Sequence, residues 1–146
     1  MSPKILYIEN KSEGHSGEAW IGYAEFSKSG QTVYFDNKAL KKLKGTGISG
    51  NHYDIETGEE YWVSGIKKNG EDRHWAGGGK IMLDKNCVDE YLRLIKAGSI
   101  DERKYIITAI EKTDKNRFNE MENAEPEFKN DSREAIYWDA TRKKLL

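Results

Sequence analysis

All but one of the 14 glycines lie before residue 80; only Gly98 follows. Glycine interrupts helices and permits tight turns. The first eighty residues are therefore read as short strands punctuated by turns, and the remainder as a helix-rich, charged segment. Ile5 to Ile8 suits a first strand. Between Ala19 and Phe26, Trp20, Gly22, Ala24 and Phe26 alternate with Ile21, Tyr23 and Glu25, which is the period of a strand. Ser27-Lys28-Ser29-Gly30 predicts a hairpin turn, and Thr32 to Phe35 the returning strand. Asn37 to Lys44 is compatible with a helical turn or a strand. Thr57-Gly58 marks a second hairpin between Tyr53–Glu56 and Tyr61–Lys67. Asn69-Gly70 is the strongest turn dipeptide, leading into a strand or loop through Arg73 and Trp75. Lys80 to Leu83 completes the β part.

Asp84 to Asn86 offers the helix-start signal, with Asn86 a candidate N-cap followed by Asp89 and Glu90. Val88, Tyr91, Leu92 and Ile95 fall on one helical face, and Gly98 is the expected stop. Asp101 to Lys112 reads as a second helix, or as a strand through Ile106-Ile107-Thr108. Residues 113–132 contain Pro126 and read as a linker, and 135–146 as an amphipathic terminal helix ending in Arg142-Lys143-Lys144. No internal repeat is present. The expected class is α+β: a small twisted antiparallel sheet or partly open barrel, a packing helix, and a charged helical C-terminal extension. The domain division follows, with a β-rich core and its helix over 1–97 and the extension over 98–146.

Charge is balanced, with 24 basic against 25 acidic residues and twelve of each sign between residues 1 and 85. A sequence-blind nucleic-acid binder draws its affinity from clustered cations, so balance argues against that class. Cys87 is the single cysteine, which excludes an internal disulfide and favours a reducing compartment. The apolar run at Met1–Glu9 is too short for a signal peptide, and no stretch approaches the roughly 20 apolar residues of a membrane span. The expectation is a cytoplasmic protein without membrane association.

Five segments, Tyr7-Ile8-Glu9-Asn10-Lys11-Ser12, Leu43-Lys44-Gly45-Thr46-Gly47, Gly50-Asn51-His52-Tyr53-Asp54, Thr57 to Gly65, and Lys67 to His74, resemble a family of short bacterial proteins. The resemblance covers about residues 1–95, the usual length of those proteins, and implies no activity. Some of them bear the label deoxyxylulose-phosphate synthase. A thiamine-diphosphate enzyme needs large α/β domains and a Gly-Asp-Gly metal-binding stretch, both missing here, so the label is judged erroneous.

Functional residues concentrate between His52 and Trp75. Tyr53, Tyr61, Trp62, Lys67, Lys68, Arg73, His74 and Trp75 interleave aromatics with cations on an expected β-ribbon. Such a surface can anchor a protein partner, because Trp, Tyr and Arg dominate interface hot spots. It can also stack bases and contact phosphates. The leading expectation is a non-enzymatic binding module for a protein partner, with nucleic acid second. Alternation along the strand puts Tyr61 and Val63 on one face and Trp62 and Ser64 on the other, leaving open which is buried.

A second reading makes His52 and His74 the base and acid of metal-independent phosphodiester cleavage, with Lys67 stabilising the charged transition state and Asp72 nearby. A third is a regulatory or assembly subunit docking through a tail at 133–146. For metals, His15, His52, His74, Cys87, Asp54 and Glu56 are ligand types without ligand spacing, so neither metal nor cofactor is expected. Cys87 at a helix start admits a lowered thiol pKa, but without a visible His partner the favoured reading is an ordinary buried small residue. Gly45-x-Gly47-x-x-Gly50 has dinucleotide-fingerprint spacing. The β-like run after it suits a glycine-permitted bulge or barrel corner instead.

Overall fold

A computed structural model of the chain describes residues 3–12, 17–44, 50–70, 79–119 and 121. Its strands are β1 (Lys4–Asn10), β2 (Ala19–Phe26), β3 (Thr32–Phe35), β4 (Lys38–Lys42), β5 (His52–Asp54), β6 (Glu60–Gly65), β7 (Ile81–Asp84) and β8 (Tyr105–Thr108). The helix α1 (Val88–Ile95) lies between β7 and β8. Strands β1 to β6 form an antiparallel meander. Its ends meet, because β6 pairs with β1 from Leu6↔Gly65 to Asn10↔Tyr61. The expected partly open barrel is thus a closed one, which removes the free edges a small sheet would present.

The turn chemistry builds this meander. Ser27 N–H donates to the Thr32 carbonyl, and Gly30 takes the positive φ of 78° that its turn needs. Asp36 and Asn37, at φ 47° and 62°, form a two-residue turn joining Phe35 to its partner Lys38. Asn37–Lys44, ambiguous in the sequence, therefore contributes the strand β4. Gly58 closes the β5–β6 hairpin at φ 80°.

β2 has an unusual double role. One of its edges pairs with β1 over the stretch Lys4↔Ala24 to Glu9↔Ala19. The other pairs with β3 at Glu25 and Phe26, but with β7 at Trp20 and Ile21. The sheet forks between them, at Gly22. β7 runs parallel to β2, and β8 parallel to β7, so a two-strand wing leaves the barrel there. Parallel neighbours need a crossover, and α1 supplies the one between β7 and β8. The residues 105–108, which admitted a helix in the sequence, form this wing's outer strand.

Two apolar clusters result. Leu6, Ile8, Trp20, Val33, Leu40 and Tyr61 fill the barrel. Tyr7, Ile21, Leu83 and Tyr105 point outward and are covered by Tyr91 of α1 with Val88 and Ile95 beside it. The unbroken run Ile5-Leu6-Tyr7-Ile8 is apolar because both of its faces are buried. Tyr91 and Tyr105 share a hydroxyl–hydroxyl bond of 2.7 Å, and Tyr105 also donates to the Gly70 carbonyl at 3.3 Å.

Both helix boundaries differ from the sequence reading. Asp84 caps a single 3-10 turn (Lys85–Cys87), its Oδ1 accepting the Asn86 N–H, and α1 follows from Cys87, not Asn86, as its N-cap, without a side-chain cap bond. The stop is Lys96 in the left-handed region, two residues before Gly98, with its N–H on the Arg93 carbonyl. The chain divides into units 1–115 and 116–146. β8 belongs to the first, so the boundary expected at 97/98 falls inside the sheet-bearing unit. The second unit is described only at 116–119 and 121, which begin in a short 3-10 turn (Lys115–Phe118). The expected terminal helix and the tail 133–146 lie outside the described residues. Among the described residues no helix is long and apolar enough to cross a membrane.

Candidate functional site

The register of β6 against β1 decides the faces of the ribbon. Tyr61 opposes Asn10 and Val63 opposes Ile8, and both side chains pack toward the barrel cluster. Tyr61 is 2% exposed, its ring 6.4 Å from that of Trp20 and its hydroxyl 3.4 Å from Asn10 Nδ2. Burial, with Glu59 and Asp54 nearby, pushes its pKa up to about 12. Tyr61 is a core residue and leaves the candidate surface. Trp62 points outward and is 41% exposed, opposite Glu9 in register. Tyr53 shares that outer face, between Lys41 and Glu60, and is half-buried; burial raises its phenol pKa.

The carboxylate facing Trp62 across the strands is itself organised. Glu9 is buried, accepts from the Tyr7 hydroxyl, and meets Lys11 Nζ at 3.0 Å. The outer face around Trp62 thus carries Glu9, Lys11, Lys41 and Glu60, a mixture of both signs.

His52 faces inward, opposite Tyr61 and Lys42, and is 7% exposed. Its neighbour Asn51 fixes its protonation. The Asn51 amide mimics a strand residue, accepting the Val63 N–H at Oδ1 and donating Nδ2 to the Val63 carbonyl, both at 2.8 Å. With that orientation set, Asn51 Oδ1 also lies 3.0 Å from His52 Nδ1, which must be the protonated nitrogen. Burial first, then Lys42, lowers the His52 pKa to about 4. The ring is neutral at neutral pH and is no general acid there.

Lys67 and Lys68 are exposed, but not on the ribbon. β6 ends at Gly65, Ile66 packs into the cluster under α1, and the turn closes with Gly70 N–H on the Lys67 carbonyl. Asp72, Arg73, His74, Trp75 and His15 lie outside the described residues, as do Gly45 and Gly47. Gly50 approaches β6 so closely that an added Cβ would sit 2.5 Å from the Tyr61 carbonyl oxygen. It is a barrel corner, as the β-like run after it suggested. Among the described residues no group of three or more His, Cys, Asp or Glu is arranged to hold a metal ion. Cys87 is fully buried, the favoured of its two readings, and burial together with Asp84 pushes its thiol up to about 12 rather than lowering it as a helix-start position would.

One feature escaped the sequence reading. A cleft of about 370 Å³ opens at the fork of β2, walled by Tyr23, Tyr34 and Ile110 and containing Asp84. The available signal was Gly22, a glycine inside an otherwise regular strand, which marks a close approach of neighbours. No protein-family model, curated protein or solved structure matches this chain.

Proposed function

We propose that the protein is a small non-enzymatic binding module that docks a protein partner on the outer face of β5 and β6, around Trp62. The observation carrying this reading is the exposure of Trp62 in mid-strand, while Trp20 on β2 is buried. A Trp side chain spans roughly 250 Å². At 41% exposure about 100 Å² remains for a partner to cover, worth about 2.5 kcal/mol at about 25 cal/mol per Å². The mixed signs of Glu9, Lys11, Lys41 and Glu60 suit a protein surface better than a row of phosphates. Tyr53 extends the same face. Phosphodiester cleavage draws no support from His52, buried and neutral as it is.

The test is an affinity pull-down from native lysate, with wild type and Trp62→Ala compared and circular dichroism confirming that both fold. Loss of a specific protein from the variant supports the reading. About 2.5 kcal/mol corresponds to about 60-fold in Kd once that partner is purified. Equal recovery by both proteins refutes the docking face.

A further inference from the structure

The fork of β2 forms a concave site with its own chemistry. Gly22 lets three of its lining residues come close: a Cβ there would meet Asp84 Cβ at 3.0 Å and both Ile110 Cδ1 and Phe35 Cε1 at 3.1 Å. The cleft of about 370 Å³ is lined by apolar Phe35 and Ile110 and by Tyr23, 41% exposed. Asp84 lines it while only 4% exposed. Its Oδ1 takes the Asn86 N–H at 3.0 Å; among the described residues no donor reaches Oδ2. A buried carboxylate oxygen without a donor is costly unless something arrives to bind it.

The charges facing the cleft define what that is. Its lining holds Glu25, Asp36, Asp84 and Glu111 against Lys112. Lys115 Nζ already neutralises Glu25 at 3.0 Å, and Lys38 Nζ lies 3.5 Å from Asp36. Among the described residues, Asp84 and Glu111 then face only Lys112, leaving one negative charge. A divalent metal would want more ligands than this. The wall also shows which cation it accepts: the Lys115 ammonium sits 5.7 Å from the Tyr34 ring centroid while bound to Glu25. An aromatic face and a carboxylate together hold an alkylammonium there.

We propose that the fork of β2 binds a singly charged alkylammonium group, its ammonium on Asp84 Oδ2 and its carbon stem on Phe35 and Ile110, which share the face of Gly22 with Asp84. The ammonium reaches the site either on a free amine or on a lysine side chain of another protein. The experiment is a heteronuclear NMR titration of the full chain with n-butylammonium chloride, Nα-acetyl-lysine-methylamide and 1-pentanol. Both cations are expected to give saturable shifts at Gly22, Tyr23 and Asp84, and the uncharged alcohol none. Asp84→Asn, whose side-chain oxygen can still cap Asn86, should weaken binding about tenfold. Tighter binding of the lysine derivative identifies a partner's lysine as the source, and tighter binding of butylammonium a free amine. Absence of saturable shifts, equal shifts with pentanol, or unchanged affinity in Asp84→Asn overturns the proposal.

Discussion

Replacing His52 with glutamine should remove a defined part of the acid sensitivity of this protein. His52 titrates near 6.5 when exposed, and burial lowers that to about 4 in the fold. The unfolded chain therefore binds the proton more readily than the folded one. Stability from keeping this ring neutral is fully present above pH 6.5 and is lost as pH falls toward 4. The whole window is worth at most about 3.4 kcal/mol, at about 1.36 kcal/mol per pKa unit. Between pH 7.5 and 5.0 the loss amounts to about 2 kcal/mol by the same linkage. Glutamine does not titrate and still offers an N–H to Asn51. The assay is urea unfolding at both pH values, followed by fluorescence of the four tryptophans. With a slope of about 2 kcal/mol/M, the wild-type midpoint should drop about 1 M further than that of His52→Gln. Carboxylates titrate in both proteins and cancel in the comparison. An equal drop in both would show that His52 is not held neutral by burial, and the argument would fail.

The thiol of Cys87 should be inert to Ellman's reagent at pH 8 in the folded protein and react fully in denaturant, since its pKa is pushed up to about 12. Prompt reaction under native conditions would contradict its burial. Gly50→Ala should destabilise by at least about 2 kcal/mol, because the new methyl meets the β6 backbone rather than a side chain that can swing away. A thermal melt matching wild type would mean that the corner is looser than its geometry states.

Local chemistry made much of the meander legible. Gly30, Gly58 and Gly70 all take the positive φ expected of turn glycines, and the alternation through Trp20, Gly22 and Ala24 held along β2. Long-range pairing was not legible. Whether Tyr61 or Trp62 faces the core depends on β6 meeting β1 at Asn10, some fifty residues earlier in the chain, and either face of Glu60–Gly65 could have served. Closure of the barrel follows from the same pairing. The parallel wing was hidden because Ile106 and Ile107 are both 52% exposed, so β8 carries neither a strand's alternation nor a helix's stripe. Of the two readings open for Cys87, a helix-start thiolate and a buried small residue, the second matches the fold: burial first, then Asp84, raises its thiol. Asn51 resembled an ordinary loop residue; that its amide continues the β-ladder to Val63 is visible only once the strands are paired.

The division of β2 between two partners also orders events during synthesis. Its first half, at Trp20 and Ile21, has no neighbour on that edge until Met82 and Leu83 arrive, some sixty residues later. While the ribosome adds those residues, the six-strand meander can already close through β1 and β6, leaving this stretch of backbone open. An exposed edge on a nascent chain is a template for pairing with another chain. The emergence of β7 ends that exposure. The interval before it does is when chaperone contact matters most for this fold, and conditions that slow translation between residues 65 and 84 should raise aggregation more than slowing elsewhere.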